Sequence, residues 1–250
     1  MVLQVGSKWG AFVTAGRAKI PPPWPRPPAT TLEPMLEALY PRSCVACRAA
    51  LGTDPGPLCP TCHAELAVQR RSPALPGLQE VFTVDRYDGP IGQAVAQAKR
   101  GNDRERLLAL GNALAQVARP FVAGSFFDAV VPCPSPWTRR LRRGFSPAHL
   151  LAHQVSAAHG LPLIDALAVA PGQRQSSLGR ADRATNLGGR LRQIRPTPGR
   201  ILLVDDVVTT GATLQACAQT LVDADAIWAL ALCRVQRDGV PTSRTTDEGP

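Results

Sequence analysis

Lysine is nearly missing from this chain. Of 28 basic residues in 250, only Lys8, Lys19 and Lys99 are lysines, and the rest are arginines. With abundant alanine and proline, that bias looks like the signature of a GC-rich genome. Aromatic residues are scarce, at 5%, which argues against a surface built to stack nucleobases. Long apolar runs are lacking too. The longest, Ala226 to Cys233, has eight residues, against the ~20 that a membrane-spanning helix needs, so no membrane insertion is predicted. The N-terminus holds no apolar segment of about 7–15 residues leading to a small-residue cleavage site. No secretory signal is read there, and a cytoplasmic location is expected. Acidic residues number 19, which leaves a net charge of +9. That excess has two readings. One is a polyanionic partner, either nucleic acid or a phosphorylated metabolite. The other is a solvated surface with a basic drift.

What is present divides the chain. Hydrophobic residues make up 44%, enough for a sizeable core. Residues 1–34 hold seven prolines, four basic residues and one acid, a composition read as polyproline-like or disordered. This stretch is either a ligand for a partner or lies upstream of a true start at Met35. Residues 236–250 are polar, without apolar periodicity, and read as a frayed tail. Between them we expect a zinc-finger module over 35–75 and an α/β domain over 76–235.

The module rests on cysteine spacing. Cys44, Cys47, Cys59 and Cys62 form two C-x2-C knuckles separated by eleven residues. Short turns at such knuckles close four thiolates into a tetrahedron around Zn2+. The Gly- and Pro-rich loop between them buries little, so a module this small needs a staple. The rival pairing into two disulfides requires an oxidising compartment. Four thiolates leave no open position for substrate, which makes the zinc structural. Cys133, Cys217 and Cys233 lie among apolar residues and read as core.

The remainder alternates strands and helices. Val81 to Arg86, Phe127 to Val131, Ile201 to Val204 and Ala226 to Leu232 read as strands. Asn102 or Asp103 caps a helix carrying Leu107, Leu110, Leu114 and Val117. Ser146 and Pro147 start a second helix that Gly160 ends. Gly211 opens a third, with Leu214, Cys217, Ala218 and Leu221. Short, wholly apolar strands between amphipathic helices imply a parallel sheet covered on both faces.

One segment carries chemistry. The apolar strand Ile201 to Val204 ends in two adjacent carboxylates, Asp205 and Asp206. A loop of threonines and one glycine then leads into a helix, with Thr209, Thr210 and Thr213 offering hydroxyls. Ligands of parallel sheets bind beyond the carboxyl ends of the strands. Hydroxyls, backbone N–H groups freed by Gly211 and the positive helix end make a monophosphate cradle. The Gly-Lys of a triphosphate loop is lacking, which argues against ATPase chemistry. Carboxylates repel a phosphate, so they must face another part of the ligand. Vicinal sugar hydroxyls fit, and the implied ligand is a ribose 5-phosphate group.

This segment resembles the phosphoribosyl-pyrophosphate (PRPP) motif of type I phosphoribosyltransferases. From about Met35 to Val235 the chain resembles the ComF family, which joins a four-cysteine zinc finger to a phosphoribosyltransferase-like domain. The likeness includes the knuckles, Tyr87-Asp88-Gly89, Lys99 with Gly101, Val131-Pro-Cys-Pro134, Arg142-Arg-Gly-Phe145, and Gln175 through Leu178 to Asn186. After Arg-Gly-Phe the family pattern is usually Asn-Gln. Here it is Ser146-Pro147, and proline cannot replace a glutamine side-chain contact. The resemblance implies a type I phosphoribosyltransferase-like fold, a parallel sheet flanked by helices. It implies Asp205 and Asp206 on the ribose hydroxyls, and Val207, Val208, Thr209, Thr210, Gly211, Ala212 and Thr213 around the 5-phosphate. It sets the loop of roughly 132–140 and a mobile segment, Gln173 to Arg195, near pyrophosphate. Loss of pyrophosphate puts negative charge on the leaving group. Mg2+ and arginines such as Arg139, Arg140, Arg174 or Arg180 would stabilise it. The same resemblance offers a non-enzymatic reading: a competence factor binding single-stranded DNA and a helicase partner. Arg139, Arg140, Arg142 and Arg143 lie within five residues, a spacing that suits backbone phosphates, the pyrophosphate pocket or a solvated surface.

Overall fold

Ile201, Leu202, Leu203 and Val204 expose nothing on either face, and a strand buried on both sides must lie in the middle of a covered sheet. The computed structural model bears this out. It describes residues 39, 41–52, 56–64, 66, 69–71, 75–124, 127–170 and 189–235. The expectations for 1–34, for 236–250 and for Gln173 to Gly188 lie outside the described residues. The chain divides into two units, Met1–Pro41 and Arg42–Pro250, and everything below concerns the second.

In chain order the elements are α1 (Pro60–Ala64), β1 (Gln69–Arg71), β2 (Val81–Arg86), α2 (Pro90–Gly101), α3 (Arg104–Val117) and α4 (Arg119–Gly124). Then come β3 (Ala129–Pro132), α5 (Trp137–Arg143), α6 (Pro147–His159), β4 (Leu167–Val169), β5 (Leu191–Gln193), β6 (Gly199–Val208), α7 (Ala212–Thr220) and β7 (Ala224–Arg234). The main sheet has the order β1-β2-β7-β6-β3. Strands β2, β7, β6 and β3 are parallel, and β1 runs antiparallel at the edge. Strands β4 and β5 form a separate antiparallel pair.

Alternate side chains feed two cores. Phe82, Val84, Leu202, Val204, Leu230 and Leu232 point to one face, where α2, α3 and α6 cover them. Val81, Val131, Ile201, Leu203, Ala229 and Ala231 point to the other, under α7 and the β4–β5 pair. Helix α3 shows which force fixes these layers. Asp103 is its N-cap and accepts a hydrogen bond from the Arg106 N–H at 2.9 Å, worth ~1 kcal/mol. Leu107, Leu110 and Leu114 are fully buried, at roughly 1.5–3 kcal/mol each, so packing outweighs the cap.

The cysteine module shares the first core. Cys44, Leu51, Leu58, Cys59 and Cys62 belong to the same cluster as Phe82 and Leu110. The Arg48 guanidinium also donates to the Gln97 side chain of α2 at 2.7 Å. Among the described residues, no helix is long and apolar enough to cross a membrane.

Two sequence expectations need correction. Strand β6 does not end at the carboxylates but runs through both to Val208, because β7 extends beside it to Arg234. The loop is then Thr209 to Gly211, and Gly211 opens the helix as expected, with Ala212 and Thr213 in its first turn. Ser146 occupies the α6 N-cap position without a capping bond. Its hydroxyl pairs instead with that of Ser135 at 3.1 Å, tying the loop after β3 to the helix.

Candidate functional site

Four cysteine sulfurs converge from two turns. All lie within 4.8 Å of one another, and Cys47 Sγ is 3.6 Å from Cys59 Sγ. A tetrahedron with Zn–S near 2.3 Å sets sulfurs about 3.8 Å apart, so the cluster fits that ion. The local fold makes it: Ser43 and Ala50 bridge the first knuckle, and the Arg48 N–H donates to the Cys44 carbonyl at 2.9 Å. The electrostatics agree. Burial pushes the Cys44 thiol up, but the N–H groups of Cys59, Cys47 and Ala46 outweigh it and bring it down to about 6. Burial and the neighbouring cysteines push Cys62 far up. Four thiolates cannot all ionise here without a cation, and a bound dication removes that conflict. Cys44, Cys47, Cys59 and Cys62 are thus a donor set compatible with structural zinc.

The second cluster lies at the C-terminal end of β6. Asp206 turns toward α2, where Lys99 Nζ is 2.7 Å from its Oδ2, with both side chains largely shielded. Asp205 accepts the Asp206 N–H at 2.9 Å. Burial, reinforced by the charge of Asp206, pushes the Asp205 carboxyl up to about 7, against the smaller opposing effects of that N–H and of Lys99. One carboxylate therefore has a cation and the other is poised to hold a proton near neutrality.

Lys99 is positioned from the other end of its helix. Asp85, inside β2, accepts the Ile91 N–H at 3.0 Å and so anchors the start of α2. A Cβ on Gly89 would run into that carboxylate, which accounts for glycine in Tyr87-Asp88-Gly89. Sequence reasoning gave Lys99 no role of its own. The apolar steps Ile91, Ala94, Val95 and Ala98 were the available signal for its helix.

Beyond the carboxylates, Thr209 and Thr210 are exposed and Gly211 is buried. Gly211 has φ +84° and is the N-cap of α7, bringing no capping side chain. The Ala212 N–H bonds to the Thr210 hydroxyl at 3.2 Å. A Cβ on Gly211 would meet the Leu75 side chain, so packing as well as the positive φ demands glycine there. Arg139 and Arg140 lie on α5, and Arg140 is exposed. Arg174 and Arg180 lie outside the described residues. Cys133, Cys217 and Cys233 are buried core thiols, as expected. Contact with Cys217, then burial, pushes Cys133 far up, and burial pushes Cys233 up to about 12.

No family model matches the chain, but curated relatives do. DNA utilization protein YhgH of Escherichia coli (strain K12) is 32% identical over 209 residues, 76% of this chain and 89% of that one. Competence protein ComFC of Bacillus subtilis (strain 168) is 26% identical over 194 residues, covering 72% and 78%. Competence protein F of Haemophilus influenzae is 32% identical over 114 residues, covering 42% and 50%. The first match covers three quarters of this chain at an identity that fixes kinship, and with the four converging sulfurs and the helix-flanked parallel sheet it establishes that this chain belongs to the ComF family.

Proposed function

We propose that the chain binds a ribose 5-phosphate group, such as that of PRPP, at the end of β6, and does so in the service of DNA utilisation or competence. The observation that carries the ligand is the ordered run Asp205, Asp206, Thr209, Thr210, Gly211, Ala212, Thr213. Its carboxylates stand at the carboxyl end of a central parallel strand, and its loop opens a helix. Carboxylates accept the vicinal hydroxyls of a sugar. The loop and the first turn of α7 offer hydroxyls and N–H groups to a phosphate. Residues 35–75 act in this reading as a zinc-held module. The role in DNA use is carried over from the names of the relatives.

Transfer chemistry is part of the proposal. When pyrophosphate leaves the sugar, positive charge grows at the ring and negative charge on the leaving group. Asp205 and Asp206, when ionised, are the candidates for stabilising the first. Arg139, Arg140, Arg174 and Arg180 are the candidates for the second. Mg2+, carried in with PRPP, supplies further neutralisation of the pyrophosphate.

Calorimetry with ribose 5-phosphate tests the reading. Asp206→Asn should weaken binding about ten- to a hundredfold, the usual effect of losing one charge-assisted hydrogen bond, in a protein that still folds but is less stable by ~2 kcal/mol because Lys99 loses its partner. A wild-type protein that binds neither ribose 5-phosphate nor PRPP would sink it. Pyrophosphate release from PRPP with a panel of bases then separates an enzyme from a binding protein. The second reading, a single-stranded DNA adaptor working with a helicase, draws on the exposed arginines of α5 and predicts binding that weakens steeply with salt.

A further inference from the structure

The first cysteine knuckle ends on Arg48, whose backbone is in the left-handed region at φ 67°. An arginine adopts that state only where its neighbours hold it. Two bonds hold this one. The Arg48 N–H donates to the Cys44 carbonyl at 2.9 Å, inside the knuckle. The guanidinium reaches outward and donates to the side-chain oxygen of Gln97, on α2, at 2.7 Å. Arg106 of α3 donates to the same oxygen at 3.1 Å. An amide oxygen has two lone pairs, and here both are taken. Gln97 is thereby fixed between the cysteine module and α3.

Gln97 also stands two residues before Lys99, with fully buried Ala98 between them. The last turn of α2 can neither rotate nor slide without moving both side chains. One receives the knuckle's guanidinium, and the other sets an ammonium on Asp206 at 2.7 Å. We propose that Gln97 is a positioning residue that couples zinc occupancy to the sugar-phosphate site. A closed knuckle holds Arg48 on Gln97, and Gln97 holds Lys99 on Asp206. The inference rests on the reading of Asp206 as an acceptor of sugar hydroxyls. Lys99 keeps that carboxylate ionised and aimed, so loss of zinc should weaken binding of the sugar phosphate.

The rival explanation is that an exposed guanidinium makes a surface bond of no consequence, as many such contacts do. The shared oxygen argues against it. A decorative bond would need neither the left-handed turn nor a second arginine, from another helix, on the same atom. Other anchors limit the size of the effect. Asp85 holds the start of α2 through the Ile91 N–H, and Asn102 ties its end to the Arg143 carbonyl at 3.0 Å. The Lys99–Asp206 pair therefore forms without metal, and zinc sharpens it. A coupling of about fivefold, the low end of the usual range, is expected.

Lysine NMR reads this directly, because Lys99 shares the chain with only two other lysines, Lys8 and Lys19. The full chain, carbon-labelled at lysine Cε, is compared with zinc bound and after chelation, and Lys99→Met assigns the signal. Removing zinc should move the Lys99 signal toward that of free lysine. Gln97→Met keeps all four cysteines and should show the displaced signal even with zinc bound. Gln97→Glu still accepts from both guanidinium groups and should restore it. Calorimetry is the second arm: ribose 5-phosphate affinity should fall about fivefold on zinc removal. By reciprocity, ribose 5-phosphate should tighten zinc by the same factor, read by competition with a chromophoric chelator, and both effects should vanish in Gln97→Met. A Lys99 signal unmoved by zinc removal would overturn the proposal, as would equal ribose 5-phosphate affinity with and without zinc. A wild type that shifts its Lys99 signal yet binds no ribose 5-phosphate would count against the sugar-phosphate reading and leave the positioning role of Gln97 standing.

Discussion

Two places in this molecule gather acidic groups at close range, and they resolve the repulsion differently. The module brings four thiols within 4.8 Å with no lysine or arginine among their hydrogen-bond partners in the described residues. The end of β6 brings two carboxylates together and supplies Lys99 at 2.7 Å. The first arrangement depends on a cation from outside the chain. The second carries its own. The module is therefore expected to depend on a bound metal, and the strand-end pair to be assembled whenever the sheet is.

Removing two zinc donors breaks this comparison most severely. Cys59→Ser with Cys62→Ser should take bound zinc from about one ion per chain to none by elemental analysis. Leu51 and Leu58 should unpack as well, and at roughly 1.5–3 kcal/mol for each buried leucine the melting temperature should drop by many degrees. Zinc retained in that variant would remove the module from the account. Lys99→Met is the matching change at the carboxylates. Cutting one partner from a fully buried pair costs ~3–5 kcal/mol; this pair keeps some contact with water, so ~2 kcal/mol is expected in denaturant unfolding. No measurable loss would mean that Asp206 is solvated well enough without its lysine.

A smaller effect sharpens the contrast between the two carboxylates. Asp205 keeps its proton in the fold up to about 7, against an ordinary 3.8. Its favourable contribution is full below the unfolded value and is lost as pH rises through about 7. Wild-type stability should therefore decline between pH 4 and 7.5 more steeply than that of Asp205→Asn. Parallel profiles for the two proteins would show that Asp205 titrates normally. The smallest effect is expected from deleting residues 1–34. Their proline-rich composition offers little to pack, and thermal stability should move by less than ~0.5 kcal/mol, the range of changes that touch no packed feature.

Much of this was legible because it is local. The knuckle spacing, the four-residue apolar strand before Asp205 and the glycine before α7 each sit within one short window. So did the Asp103 cap. The β4–β5 pair was not legible, because its strands are three residues each and lie far apart in the chain. The extension of β6 past its carboxylates was hidden for another reason: it depends on how far β7 runs alongside. The Lys99–Asp206 pair needs two elements brought together by the sheet, and no pattern near either residue announces it. Ser146 shows the limit of local rules. It stands at the right place for a cap, yet its hydroxyl is taken by Ser135.

The leucine that lies over Gly211 has a consequence for inheritance. Leu75 belongs to the connection between the cysteine module and β2, yet its side chain fills the space a Cβ on Gly211 would need. Module and loop are thus not separable cassettes. A chimera that took its first 75 residues from one relative and its sheet from another would have to match leucine with glycine across the junction, so the two positions should change together or not at all.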